Sequence, residues 1–168
     1  FVRQMRYLAK HYHVLPLDRC LEPSSSSEYR AVIAFDDAYA SFYHFAYPVL
    51  RALRLPATVF VPIDFIEGRM PMWWDRLRQI VSRTQERTLR VDYHGHQHVF
   101  PVRSQSEKQQ TLRMLGAELR FLSSEERNTV LAALQNELRI GELVVGERHA
   151  PLSLPQMREM TKSNIAFA

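Results

Sequence analysis

Two short runs, the continuously apolar residues 31–35 ("AVIAF") and the mostly apolar residues 57–61 ("ATVFV"), flank a stretch with helical periodicity. Continuous rather than alternating apolarity is the pattern of strands covered on both faces, as in parallel sheets. Between them, Phe42, Phe45, Ala46, Val49, Leu50 and Leu53 fall on one helical stripe, with Pro48 near an early turn or kink. Strand, helix, strand predicts a parallel pair joined by a right-handed crossover. The first run stops at two adjacent acids, Asp36 and Asp37. In α/β folds ligands collect at the carboxyl ends of the strands, which is where this pair falls. Burying a carboxylate costs several kcal/mol unless it is paired or metal-bound. Neighbouring residues point in different directions, so one acid can ligate a metal while the other takes a proton from water. The bland alternative is a solvated pair capping the next helix.

The remainder reads as helices and one hairpin. Residues 1–13 form an amphipathic helix, and "LEPSSSSE" (21–28) forms a loop. "MWWDRLRQIVSRT" predicts a helix with Trp73, Leu77, Ile80 and Val81 inward. "TLRVDYHGHQHVFPV" predicts two short strands turning near Gly95. Two helices follow with almost no loop between them, and they are expected to pair as an antiparallel hairpin. The second opens on Ser123 and Glu126 at capping-box spacing. Ser153 caps a later short helix with Pro155 in its first turn, and "IAFA" begins a further strand.

Composition excludes some classes. No apolar run approaches the roughly 20 residues of a membrane-spanning helix. The net charge of +4 is mild and its basic residues are dispersed, so nucleic acid is not an expected partner. The single cysteine, Cys20, allows no internal disulfide and reads as inert. His94, His96 and His98 share strand spacing that could hold zinc, but Gly95 breaks the strand, and they read as an exposed polar hairpin. One of Trp73 and Trp74 is expected in the core, with Trp74 the better candidate for a sugar platform.

The order of these features resembles the polysaccharide deacetylases, the NodB-homology or carbohydrate esterase 4 family. Ala34-Phe35-Asp36-Asp37-Ala38 stands where the family has a T-F-D-D-G-like motif. Pro48-Val49-Leu50 matches the family's P-x-L, and Pro56-Ala57-Thr58-Val59-Phe60-Val61 its P-A-T-x-F-V strand. "LSLPQMREMTKSNIAFA" is similar to the family's L-S-W-x-Q-L-R-E-M helix and the strand that follows. The resemblance implies an α/β fold: a partial (β/α) barrel with a helical and hairpin insertion. It frames residues 1–168 as one incomplete deacetylase domain. A first βαβ block covers 1–62, an insertion covers 63–152, and a helix with the start of a strand covers 153–168.

The resemblance further implies hydrolysis of N-acetyl or O-acetyl groups on a polysaccharide by a divalent metal, often zinc. Asp36 is then the general base and Asp37 a metal ligand. The family's His pair, H-S/T-x-x-H, is expected just past the last strand, where this sequence ends. The chain therefore reads as a piece of a longer protein, inactive alone; family members usually act at the cell envelope, but no localisation signal is read from this sequence. Ala38 replaces the family's Gly and is expected to strain or shift the loop. Two other readings stand beside this one. One is a degenerate domain that only binds glycan or a partner. The other is a receiver-like magnesium and phosphate domain, which needs an acceptor such as Asp92 at the end of a third strand.

Overall fold

A computed structural model describes residues 1–23, 29–68, 71–143, 146 and 149–168. Most of the serine loop expected at 21–28 lies outside the described residues. In chain order the elements are α1 (Val2–His11), β1 (His13–Val14), β2 (Arg30–Ala31), β3 (Ala34–Phe35), α2 (Tyr47–Ala52), β4 (Ala57–Val59), α3 (Ile63–Ile66), α4 (Trp73–Arg83), β5 (Thr88–Tyr93), β6 (His96–Pro101), α5 (Gln105–Leu119), α6 (Ser124–Glu137), α7 (Leu154–Met160) and β7 (Ile165–Phe167). They divide into two compact units, 1–70 with 145–168, and 71–144. The second unit is narrower than the 63–152 insertion read from the sequence. Phe65 and Leu152, both inside that span, are buried in the first unit.

In the first unit β3, β4 and β7 form a parallel sheet in the order β3-β4-β7, with Ala34 opposite Thr58 and Ala57 opposite Ile165. The expected parallel pair is therefore present. The run 30–35 is not one strand buried on both faces, however. Its first half pairs with β1, His13 opposite Arg30, and its second half with β4 on the other side. The change of partner breaks the strand at Val32–Ile33 and leaves Ala34 exposed at its end. β4, flanked by two strands, is buried at every position. The described strands form no closed barrel.

The crossover helix begins with a wide turn. Residues Phe42–Ala46 are π-helical, and the Tyr47 N–H donates to the Phe42 carbonyl five residues back. Pro48 supplies the reason: it has no N–H, and its ring excludes the carbonyl four residues earlier, so the turn before it widens. Leu50, Val59, Met160 and Ile165 are the centre of this unit's core, each 2% exposed or less.

The second unit packs α4, α5 and α6 on the β5–β6 hairpin. Leu77, Ile80, Leu89, Leu115, Leu119 and Leu131 are fully enclosed. α4 packs against both α5 and α6, α5 packs against β6, and α6 packs against β5. The α4 stripe of Leu77, Ile80 and Val81 supplies the common apolar surface. α5 and α6 both start on complete capping boxes, Ser104 with Glu107 and Ser123 with Glu126. The hairpin turns on His94 and Gly95, with φ of 52° and 75°, between the paired residues Tyr93 and His96. Two left-handed residues in a two-residue loop are the geometry that matches strand twist. No described helix is long and apolar enough to cross a membrane.

Candidate functional site

The Asp36–Asp37 pair lies at the carboxyl end of β3, in the first unit. Phe35 is the last residue held by the ladder, its carbonyl accepting from Phe60 N–H at 2.8 Å. The backbone then turns left-handed twice, Asp37 at φ 74° and Ala38 at φ 47°. Aspartate tolerates this region, whereas an alanine there carries about 1–2 kcal/mol of strain. Ala38 thus keeps a conformation suited to glycine, and the loop is strained there.

A segment that no local pattern advertises holds this turn in place. The Leu152 N–H donates to the Ala38 carbonyl at 2.9 Å, and the Ala40 N–H donates to the Ala150 carbonyl at 2.8 Å. Tyr39 and Pro151 form an antiparallel bridge between these bonds. Ala38 and Leu152 are buried to 1% exposure or less. The segment 150–152 before α7 therefore pins the loop that carries the acids. Sequence reading missed it because the partners lie more than a hundred residues apart.

The two acids have different surroundings. Asp36 is exposed and lines a groove of about 490 Å3 with Phe1, Phe35, Tyr39, Phe42 and Phe45. Asp37 is half-buried, does not line this groove, and has interactions of its own. Rings walling the groove pack edge to face: Phe35 on Phe42 at 4.6 Å and on Phe1 at 6.0 Å. Phe45 is 69% exposed, and it borders a second groove with His44, Pro151 and Gln156.

The other sequence candidates lie elsewhere. His94, His96 and His98 are on the hairpin of the second unit, where His98 stacks on Tyr93 at 4.1 Å. Trp73 and Trp74, also in that unit, are both half-buried, and Arg127 lies over the Trp73 ring at 4.9 Å. Asp92 is exposed on β5 opposite Gln97, in an antiparallel hairpin rather than at the end of a third parallel strand. Cys20 is a half-buried free thiol. Among the described residues no three His, Cys, Asp or Glu side chains come together to hold a metal ion. Asp36 and Asp37 alone do not complete the three-ligand set of a catalytic zinc.

Fold and site together define a mixed α/β protein whose acids sit at the carboxyl end of a parallel strand. A family model, polysaccharide deacetylase, matches residues 24–132, and the chain belongs to that family. Two solved structures are similar to it. A de-N-acetylase from Aggregatibacter actinomycetemcomitans is 18% identical, with a TM-score of 0.31, over 67% of this chain and 38% of its own. The Streptococcus pyogenes deacetylase PplD, in complex with acetate, is 12% identical, with a TM-score of 0.36, over 97% of this chain and 67% of its own. The chain thus spans well under half the length of the first. No curated protein matches it.

Proposed function

We propose that this chain is part of a hydrolase that removes acetyl groups from a polysaccharide, cleaving the carbon–nitrogen bond of an N-acetylated sugar. The observation that carries the reading is Asp36, an exposed carboxylate at a strand's end facing a ring-lined groove, in a chain of the polysaccharide deacetylase family. Aromatic faces suit the apolar faces of sugar rings. Asp36 acts as general base: it takes a proton from a water as the water oxygen bonds to the acetyl carbon. When the carbon–nitrogen bond breaks, that proton goes to the departing amine, leaving acetate and a free amino sugar.

Asp37 is proposed as one ligand of a divalent cation, zinc by the family resemblance. A single carboxylate holds such an ion weakly, and residues 1–168 alone are expected to give no turnover. The reading is tested by acetate release from an N-acetylated chitooligosaccharide. The full product of the reading frame that encodes this chain should release acetate, and Asp36→Asn should lower its turnover by about 10²–10⁴-fold, the usual worth of a general base. Unchanged turnover in Asp36→Asn, or rapid turnover by residues 1–168 alone, refutes the assignment.

A further inference from the structure

We propose a second glycan-binding surface on the first unit, separate from Asp36: a basic and aromatic track along α1 that binds an acidic polysaccharide. Its rings are set by secondary structure. The His13 N–H donates to the Tyr29 carbonyl at 2.8 Å, and His13 pairs with Arg30. That register places Tyr12 and Tyr29, each one residue earlier, side by side with centroids 6.1 Å apart. Tyr7 extends the row, 6.3 Å from Tyr12 and 4.5 Å from His11 one helical turn on. Tyr7 is 58% exposed and Tyr29 77% exposed, so neither ring serves the core. A surface groove along α1 and another between Tyr12 and Tyr29 share Lys10 and His11, which makes the track continuous.

Charge selects the occupant. Arg3, Arg6 and Lys10 are exposed on one side of α1, and residues 2–11 contain no acid. Steps of three and four residues set these cations ~5 Å apart along the axis, one per turn. A row of evenly spaced cations beside ring faces fits a polymer with flat, stackable units and regularly repeated negative charge. The choice of a glycan as that polymer rests on the polysaccharide deacetylase reading. The carboxylates of a uronic acid chain meet the cations while its sugar rings lie on the tyrosines.

The test uses the 168-residue chain with alginate oligosaccharides, neutral chitooligosaccharides and a single-stranded DNA oligonucleotide. Alginate is expected to bind more tightly than either of the others and to weaken as salt rises. The double variant Tyr7→Ala/Tyr29→Ala, and separately Arg3→Gln/Arg6→Gln/Lys10→Gln, should each weaken alginate at least ten-fold with unchanged circular dichroism. Asp36→Asn should bind as the parent does. No alginate binding at low salt, parent-like alginate binding by either surface variant, or preference for the oligonucleotide overturns the proposal. Acetate release separates this proposal from the enzyme reading. Alginate binding without acetate release by the full product upholds the track and refutes the enzyme. Acetate release without alginate binding does the reverse.

Discussion

The strained alanine behind the acids gives a quantitative test of the site's geometry. Ala38 has φ 47° and no exposed surface. Replacing it with glycine releases the left-handed penalty, about 1–2 kcal/mol. The change also removes a buried methyl, about 0.8 kcal/mol, and loosens the unfolded chain by about 0.4–1 kcal/mol. The losses together are roughly 1.2–1.8 kcal/mol, so Ala38→Gly should fall within about 0.8 kcal/mol of neutral. Ala57, 3% exposed in β4, has no left-handed strain to release. Ala57→Gly should therefore bear the full loss of roughly 1.2–1.8 kcal/mol. Both tryptophans lie in the second unit, and no tryptophan belongs to the unit that holds Ala38 to report on it. Amide hydrogen exchange across α7, whose Met160 is fully buried in the first unit's core, reports on that unit. The two variants should differ there by about five- to thirty-fold in opening equilibrium, the equivalent of 1–2 kcal/mol. If Ala38→Gly opens this unit as readily as Ala57→Gly, the turn is not strained and the account of the loop is wrong.

Two further predictions concern the second unit. Hydrogen bonds from the Ser123 side chain and backbone hold the Glu126 carboxyl below the usual carboxylate range. Its contribution to stability is therefore full above the ordinary glutamate range and disappears as pH falls through the depressed value. The stability gap between the parent and Glu126→Gln should narrow on acidification from about pH 6 to pH 3, read from urea midpoints by tryptophan fluorescence. A gap that widens would show the sign to be wrong. Gly95 has φ 75° with no atom within 4 Å of an added Cβ, so Gly95→Ala meets only backbone strain. It should cost about 1 kcal/mol, and Gly95→Asn, which tolerates this region, should recover most of it. Equal losses by both variants point to a steric cause instead.

What could be read from the sequence followed from how far apart the interacting residues lie. The parallel pair of β3 and β4 was legible because each strand carries its own largely apolar run and the helix between them its own stripe. The Ser123 and Ser153 caps were legible because both partners of a capping box lie within four residues. The split of 30–35 between two partners was not, because apolarity reports burial and not which neighbour provides it. Asp75 is 6% exposed, a burial that nothing in its local sequence marks. Neither the α4 stripe shared by α5 and α6 nor the bond between Ala38 and Leu152 has a local signature.

The same distinction explains the acids. Their residue types and place at a strand's end are local facts, and the adjacent alanine flagged the turn. Their divergence is tertiary: two left-handed residues, pinned by residues 150–152, leave Asp36 beside the groove and Asp37 half-buried away from it. Two carboxylates facing one groove would repel and raise each other's proton affinity. Turning the backbone between them sends the two side chains into different surroundings. The strain at Ala38 is thus the cost of keeping adjacent acids apart. The hydrogen bonds to Ala150 and Leu152, with the burial of Leu152, offset it from a distant part of the chain.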